Sequence, residues 1–302
     1  MITLLTGGTG FLGSHYQQYL AKKSDPVMIL GRSKNSDIIC DLACAIPQLK
    51  DNFDLVIHSA GLAHVSADKC PREFYNVNLN GTHNLLRALE NSPPSHFIYI
   101  SSVSVYGLDK GQNIEETAMP IPTSPYAKSK FQTELLLKQW CIDKNIVLTI
   151  LRLPLIVGKN PPGNLGSLIN SINRGRFFLV GKGNARRSMV LAEDVVSFSF
   201  NILNTGGTFN LTDKYHPSYL ELSYTIAESL KLNRPKKLPE PAMAALARIF
   251  DITHKFTGIN IPYSSEIHSK LTSSLTFSDV HAQAHGWNPK KVLDHPSLWA
   301  TS

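Results

Sequence analysis

The chain has 302 residues, 42% of them hydrophobic and 18% charged, with a formal net charge of +7 and a pI near 9.1. That composition excludes disordered, collagenous and coiled-coil chains, and the length lets one or two domains bury a core without disulfide staples. The basic excess favours a polyanionic partner. It sits in scattered pairs such as Lys22-Lys23, Arg186-Arg187 and Lys290-Lys291, which points to a small phosphate ligand rather than to nucleic acid.

Along the chain, strands and helices alternate. The apolar run at 2–5 leads into glycines and a helical stretch from Gly10 to about Lys23. Further short runs at 27–30, 55–57, 97–100 and 147–151 are nearly continuous in apolar character, as expected of strands buried on both faces. Helical patterns at 77–91 and 124–143 separate them, which predicts an α/β fold with a doubly wound parallel sheet. After Gly158 the rhythm breaks: Pro161-Pro162-Gly163-Asn164 opens a loop, 165–174 reads as a short helix, and 188–201 and 208–211 look structured. The last third, punctuated from Pro217 to Pro296, is expected to be loop-rich with short helices and to cover one end of the sheet. Residues 1–158, with 188–212 returning to them, are expected to form the larger α/β domain, and 159–302 mainly the smaller lobe.

No apolar run reaches the roughly 18 residues that would span a bilayer. The opening Met-Ile-Thr-Leu-Leu-Thr-Gly lacks a basic leader and an apolar signal core, so a cytoplasmic protein is expected. Cys40, Cys44, Cys70 and Cys141 show no zinc-type pairing and read as reduced thiols; no metal site is expected.

Thr6-Gly7-Gly8-Thr9-Gly10-Phe11-Leu12-Gly13 lies between the first strand and the first helix. Glycines there let the backbone turn sharply against a pyrophosphate, and the helix N-terminus supplies N–H groups and a positive dipole end. At the end of the second strand an acidic residue would bind ribose hydroxyls; here stands Gly31-Arg32-Ser33-Lys34. Arg32 can fork onto a 2′-phosphate, favouring NADP over NAD by about tenfold to a hundredfold, or can be a surface arginine stacking on adenine.

Tyr126 and Lys130 form Tyr-x-x-x-Lys, which on a helix places them about 5–6 Å apart at Cβ, so that the ammonium is expected to lower the phenol pKa. Tyr19/Lys23 and Tyr106/Lys110 match the same pattern, but Tyr19 lies late in the first helix and Tyr106/Lys110 spans a turn. Tyr126 follows Ser124-Pro125, an N-cap and first helical position, which places its helix start beside the cleft. Ser101-Ser102-Val103-Ser104, after the strand at 97–100, offers a third hydroxyl, although serines there also serve as turn residues.

With these residues together, the chain resembles the extended short-chain dehydrogenases/reductases of the NAD-dependent epimerase/dehydratase family, in its nucleotide-sugar branch. Further carriers of the resemblance are Asp41-Leu42, His58-Ser59-Ala60-Gly61, Asn78 in Asn-x-Asn-Gly-Thr, and Ser-Ser-x-x-Val-Tyr-Gly. It implies a Rossmann-type sheet with a smaller mixed substrate-binding lobe. Tyr126 is then the acid–base, Lys130 holds the nicotinamide ribose, and Ser102 orients the sugar hydroxyl. Cofactor contacts are implied at Gly7, Gly10, Phe11, Leu12, Gly13, Arg32, Asp41, Leu42, Ser59, Ala60, Gly61, Asn78 and Pro154, besides Tyr126 and Lys130, with NADP(H) favoured over NAD(H). Ser104 is an implied substrate contact, and Asn164 and Arg187 match residues that hold the nucleoside diphosphate. The family often dimerises through the helices near 77–91 and 124–143, so a homodimer is implied. The segments Lys270-Leu271-Thr272-Ser273-Ser274 and Gly286-Trp287-Asn288-Pro289 resemble polysaccharide-pathway members that act at C4 of UDP-N-acetylhexosamines.

Two departures narrow the chemistry. Val103 and Ser104 stand where 4,6-dehydratases carry acid–base groups, which argues against dehydration. Leu155 replaces an asparagine frequent in galactose epimerases, which raises 4-keto reduction by NADPH beside epimerisation. Reduction of a non-sugar ketone and a non-catalytic dinucleotide sensor are the alternatives, the latter opposed by Ser102, Tyr126 and Lys130 occurring together. Finally, Met243, Leu246, Ile249 and Phe250, interspersed with Arg248, His254 and Lys255, predict an amphipathic helix over 241–256. Such a helix packs on its own domain or makes a peripheral membrane contact.

Overall fold

A computed structural model of the chain describes residues 1–63, 70–257 and 263–300. Its strands are β1 (Thr3–Thr6), β2 (Val27–Gly31), β3 (Ile38–Ile39), β4 (Leu55–His58), β5 (His96–Ser102), β6 (Gly111–Ile114), β7 (Val147–Leu153), β8 (Leu155–Val157), β9 (Leu179–Val180), β10 (Met189–Leu191), β11 (Gly207–Asn210), β12 (Lys237–Leu238) and β13 (Leu275–Phe277). The helices are α1 (Phe11–Lys22), α2 (Pro71–Phe74), α3 (Gly81–Leu89), α4 (Pro125–Asp143), α5 (Gly163–Asn173), α6 (Ala192–Asn201), α7 (Tyr219–Ser229), α8 (Glu240–Thr257), α9 (Ser265–Thr272) and α10 (Val280–Gln283).

β1 and β4 are buried at every position, the demand placed on strands covered by helices on both faces. Seven strands form one parallel sheet in the order β11-β7-β5-β4-β1-β2-β3. The chain leaves β1 toward β2 on one side and returns to β4 on the other, so the switch point lies between β1 and β4. This is the expected doubly wound architecture. One face of the sheet packs Leu5 and Ile57 against Leu12 and Tyr16 of α1 and Val195 and Phe198 of α6. The other packs Leu4, Val56 and Phe97 against Leu85 of α3 and Leu137 of α4. A smaller core, with Leu165, Ile169, Leu222, Ile226 and Trp299, joins α5 and α7 to the C-terminal segment.

One element differs from the sequence expectation. The helix expected over 77–91 starts at α2, passes through a π-helical stretch at Tyr75–Asn80 and ends with α3. There the Thr82 hydroxyl donates to the Asn78 carbonyl at 2.6 Å, competing for it with the helical ladder. In the last third, α8, 18 residues long, matches the amphipathic helix expected over 241–256.

A buried ion pair fixes α4 on the sheet. Arg152 of β7 grips Glu134 of α4 with Nε and Nη2 at 3.1 and 2.7 Å, and both side chains are shut off from water. Ser101 of β5 donates to the same carboxylate at 2.5 Å, and Arg152 Nη1 donates to the Tyr106 hydroxyl at 3.0 Å. That hydroxyl in turn donates to Asn210 of β11 at 2.9 Å. Every charged atom is therefore partnered, the condition under which such a pair survives burial; leaving one partner alone costs about 3–5 kcal/mol.

Candidate active site

Gly7, immediately after β1, has φ +68°, and a Cβ there would lie 2.6 Å from the Ala60 nitrogen. A Cβ on Gly13 would lie 2.1 Å from the Gly7 carbonyl oxygen, so α1 packs on the turn with no room for a side chain. The first turn of α1 carries no acidic residue and no side-chain cap, which leaves its dipole end open to an anion. This cradle, at the sheet's switch point, fits the pyrophosphate of a dinucleotide.

A chain of buried hydrogen bonds runs from this turn to α3. The Ala60 amide donates to Thr6 Oγ1 at 3.2 Å, and Thr6 Oγ1 meets His58 Nδ1 at 2.7 Å. His58 Nε2 meets Thr82 Oγ1 at 2.8 Å. Thr82 has one hydrogen and gives it to the Asn78 carbonyl, so it must accept from His58. The histidine therefore carries its proton on Nε2, and Nδ1 accepts from Thr6. Burial, and secondarily the Lys130 charge, drives its pKa down to about 3, so it is neutral.

The loop after β4 is held by Asn78, which accepts from the Leu62 amide at 2.7 Å and donates to the Leu62 carbonyl at 3.2 Å and to Ser129 Oγ at 2.9 Å. A Cβ on Gly61 would sit 3.1 Å from Lys130 Nζ and 3.2 Å from Asn78 Oδ1. Ser59-Ala60-Gly61, Asn78 and Lys130 thus converge in one place.

Tyr126 enters from the first turn of α4, where the Ser124 hydroxyl accepts from the Ala127 amide at 3.1 Å and Pro125 opens the helix. Its ring lies 5.9 Å from that of Phe74. Burial pushes the phenol above the ordinary tyrosine value, and the Ser102 hydroxyl near it pulls the other way. The raised phenol corrects the expectation of depression by the ammonium of Lys130. Its Nζ instead donates to the Ile100 carbonyl at 2.8 Å and lies 4.8 Å from the centre of the Tyr99 ring. Burial brings the lysine down to about 8, opposed by the Glu134 carboxylate. Ser102 also caps the 3-10 turn Val103–Tyr106 by accepting from the Ser104 amide at 3.2 Å. The Ser104 hydroxyl is buried without a partner among the described residues.

The remaining expected residues lie around this cluster or away from it. Arg32 is exposed beyond β2, and its guanidinium enters no ion pair or hydrogen bond among the described residues. Asp41 turns its carboxylate onto the Ala43 amide at 3.0 Å, and buried Leu42 accepts from Asn84 through its carbonyl at 2.8 Å. Pro154 is half-buried between β7 and β8. Asn164 is exposed at the start of α5, in the smaller lobe. Arg187, also there, donates to the carbonyls of Ser273 at 2.8 Å, Arg186 at 3.3 Å and Lys270, so it staples the end of α9 to the segment before β10. Arg152, in one of the two buried networks, carries no signal in the sequence motifs, whereas Thr82, in the other, is the threonine of Asn-x-Asn-Gly-Thr. Glu134 has one, since it follows Lys130 at the spacing by which Lys130 follows Tyr126.

Residues 3–212 match the NAD dependent epimerase/dehydratase family. The chain belongs to this family. Among its relatives is the N-acetyl-alpha-D-glucosaminyl-diphospho-ditrans,octacis-undecaprenol 4-epimerase of Escherichia coli O157:H7, 32% identical over 251 residues that cover 80% of this chain and 75% of the relative. The UDP-glucose 4-epimerase of Thermus thermophilus in complex with NAD has the same fold, with a TM-score of 0.72 at 22% identity over 98% of each chain. RMD from Pseudomonas aeruginosa, complexed with NADPH, also gives 0.72, at 25% identity over 98% of this chain and 96% of its own. The chain is thus an NAD(P)-dependent enzyme of the epimerase/dehydratase type.

The neutral His58 makes stability depend on pH. The unfolded chain takes up a proton near pH 6.5 that folded His58 refuses until about pH 3, so stability falls as pH drops through that window. The contribution is about 1.4 kcal/mol per pH unit. Burial also lowers His15 and His216, which share the wild-type slope. Urea unfolding between about pH 4.5 and 7.5 is expected to show one proton less of pH dependence in His58→Gln than in the wild type; equal slopes would contradict the neutral assignment.

Proposed function

We propose that the chain is a cytoplasmic 4-epimerase of a UDP-hexose or UDP-N-acetylhexosamine. The observation that carries this is the meeting of Ser102 and Tyr126, hydroxyl to phenol, beside the Lys130–Gly61–Asn78 cluster at the cofactor cradle. Residues 1–158 with 188–212 would hold the dinucleotide, and the rest of 159–302 the sugar nucleotide. The lipid carrier in the name of the 32% identical relative widens the candidate substrates to a sugar linked through a diphosphate to a polyprenol.

Gly7, Gly10, Phe11, Leu12 and Gly13 would cradle the pyrophosphate, Asp41 and Leu42 border the adenine, and Ser59–Gly61, Asn78 and Pro154 line the nicotinamide side. The bound nicotinamide supplies reversible hydride exchange with C4 of the sugar. The chain's own residues then handle the proton. Ser102 positions the C4 hydroxyl, Tyr126 takes its proton and returns it, and Lys130 holds the ribose while placing a positive charge near the phenol. Ser104, Asn164 and Arg187 would fix the substrate so that either face of C4 can be presented. In its free form Arg187 has carbonyl partners for two of its nitrogens, so phosphate binding uses its remaining donors or displaces the end of α9.

NADP(H) is the preferred dinucleotide in this proposal, supported by the exposed guanidinium of Arg32, which has no partner among the described residues. The same observation favours a second possibility, NADPH-dependent reduction of a 4-keto sugar nucleotide at the same residues. Pairing of two chains through α3 and α4 is supported by Leu135 and Ile142, exposed two turns apart on α4.

Incubating the purified protein with UDP-hexoses and UDP-N-acetylhexosamines, without added cofactor, is expected to yield the C4 epimer. Tyr126→Phe is expected to lower turnover by about 10²–10⁴ while dinucleotide binding persists. Wild-type turnover in that variant would overturn the mechanism, and NADPH oxidation with a 4-keto sugar nucleotide in place of epimer formation would select the reductase. Arg32→Asp is expected to move the ratio of the NADP and NAD dissociation constants toward NAD by about tenfold to a hundredfold. An unchanged ratio would mean that Arg32 does not read the phosphate.

A further inference from the structure

Helix α8 is apolar on two sides. One side, with buried Ala247 and half-buried Met243 and Phe250, faces its own lobe, where Asp251 accepts from the Ser265 amide at the start of α9 at 3.2 Å. The other side presents Leu246, Ile249 and Ile252 to water, with the last two 57% exposed. An amphipathic helix serving only its lobe would be polar there. Phe178, 44% exposed, lies next to the β9–β12 pair that leads into α8.

The charge around this stripe is one-sided. From the end of α7 to the end of α9, residues 230–272 carry seven Lys and Arg against three Asp and Glu, a net +4 of the chain's +7. Arg248 and Lys255 fall beside the stripe on the helical wheel, while Lys236 and Lys237 precede α8; none of the four enters an ion pair among the described residues. Apolar side chains flanked by unpaired cations match the two halves of an anionic membrane surface, acyl boundary and headgroups. A second copy of the chain would set the same positive charge against itself. No helix among the described residues is long and apolar enough to cross a membrane, so the contact would be peripheral.

We propose that the outer face of α8 docks on an anionic lipid bilayer. Helix α9 packs on α8, and Arg187 holds its end through the Ser273 and Lys270 carbonyls. Docking through α8 therefore sets the lobe that carries Arg187 against the headgroup layer. Resting there on the function proposed above, the arrangement suits a sugar diphosphate whose lipid remains in the bilayer.

The test is co-sedimentation of the full chain with phosphatidylcholine vesicles, with and without about 30% phosphatidylglycerol. Binding is expected to the mixed vesicles, to weaken with salt, and to fall at least about tenfold in Ile249→Glu/Ile252→Glu. Arg248→Glu/Lys255→Glu is expected to lose the phosphatidylglycerol-dependent part. Both variants are expected to keep the wild-type melting temperature and the wild-type rate on soluble UDP-sugars. No binding to the mixed vesicles, or equal binding by both variants, would overturn the proposal. So would conversion of a wild-type dimer to monomer by Ile249→Glu/Ile252→Glu, which would assign the stripe to a second copy. If the wild type turns over no UDP-sugar, the epimerase proposal fails while vesicle binding still decides the docking.

Discussion

Glu134 and Arg152 are a carboxylate and a guanidinium with almost no access to water, and the placement of the proposed reacting groups depends on them. Glu134 sits on α4 one turn beyond Lys130 and two beyond Tyr126; Arg152 sits on β7, with Ser101 of neighbouring β5 bonded to the same carboxylate. A hydrophobic contact at that position would hold α4 against the sheet but would let it slide, since apolar packing has no direction. The forked ion pair fixes rotation and height together. Ser102 follows Ser101 directly, so the pair also sets the distance from the serine hydroxyl to the Tyr126 phenol.

A second buried polar system, centred on neutral His58, ties the other half of the site together. It joins the end of β1, the loop after β4 and the irregular turn before α3 through Thr6, Ala60, Thr82 and Asn78. Lys130 stands between the two systems, bonded to Ile100 of β5 and close to Gly61 and Asn78. A charged histidine there would face the ammonium, so the neutral tautomer and the lysine's charge support each other. The cradle for the dinucleotide and the acid–base pair are thereby parts of one hydrogen-bonded framework across the sheet's switch point.

Much of this was legible in the sequence because it is local. The alternation of buried runs with helical patterns, the glycine turn after the first strand and the Ser124-Pro125 start of α4 each depend on neighbours a few residues apart. What stayed hidden depends on distant partners. Glu134 has the spacing of a third functional position, yet a glutamate on a helix reads as solvent-exposed until Arg152 is brought beside it. Lys130 turning to Ile100 rather than to Tyr126, and Arg187 turning to the end of α9, are equally invisible to spacing. The long helix α8 shows in its periodicity, but which of its faces stays bare emerges only from the packing.

Tyr126 is the point at which sequence spacing and structure part most clearly. Spacing alone makes it an activated phenol; the structure sets it beside the Phe74 ring and Ser102 and leaves its pKa raised. An acid–base that rests protonated and gains acidity when cationic nicotinamide and Lys130 are drawn up to it would be protected from idle proton exchange. The most direct measurement is therefore a titration of the Tyr126 phenol, by difference absorbance against Tyr126→Phe, in the cofactor-free and the dinucleotide-saturated protein. A phenol above the ordinary tyrosine range without cofactor, falling when the oxidised dinucleotide saturates the site, is the predicted result. A phenol already depressed in the cofactor-free protein would contradict it.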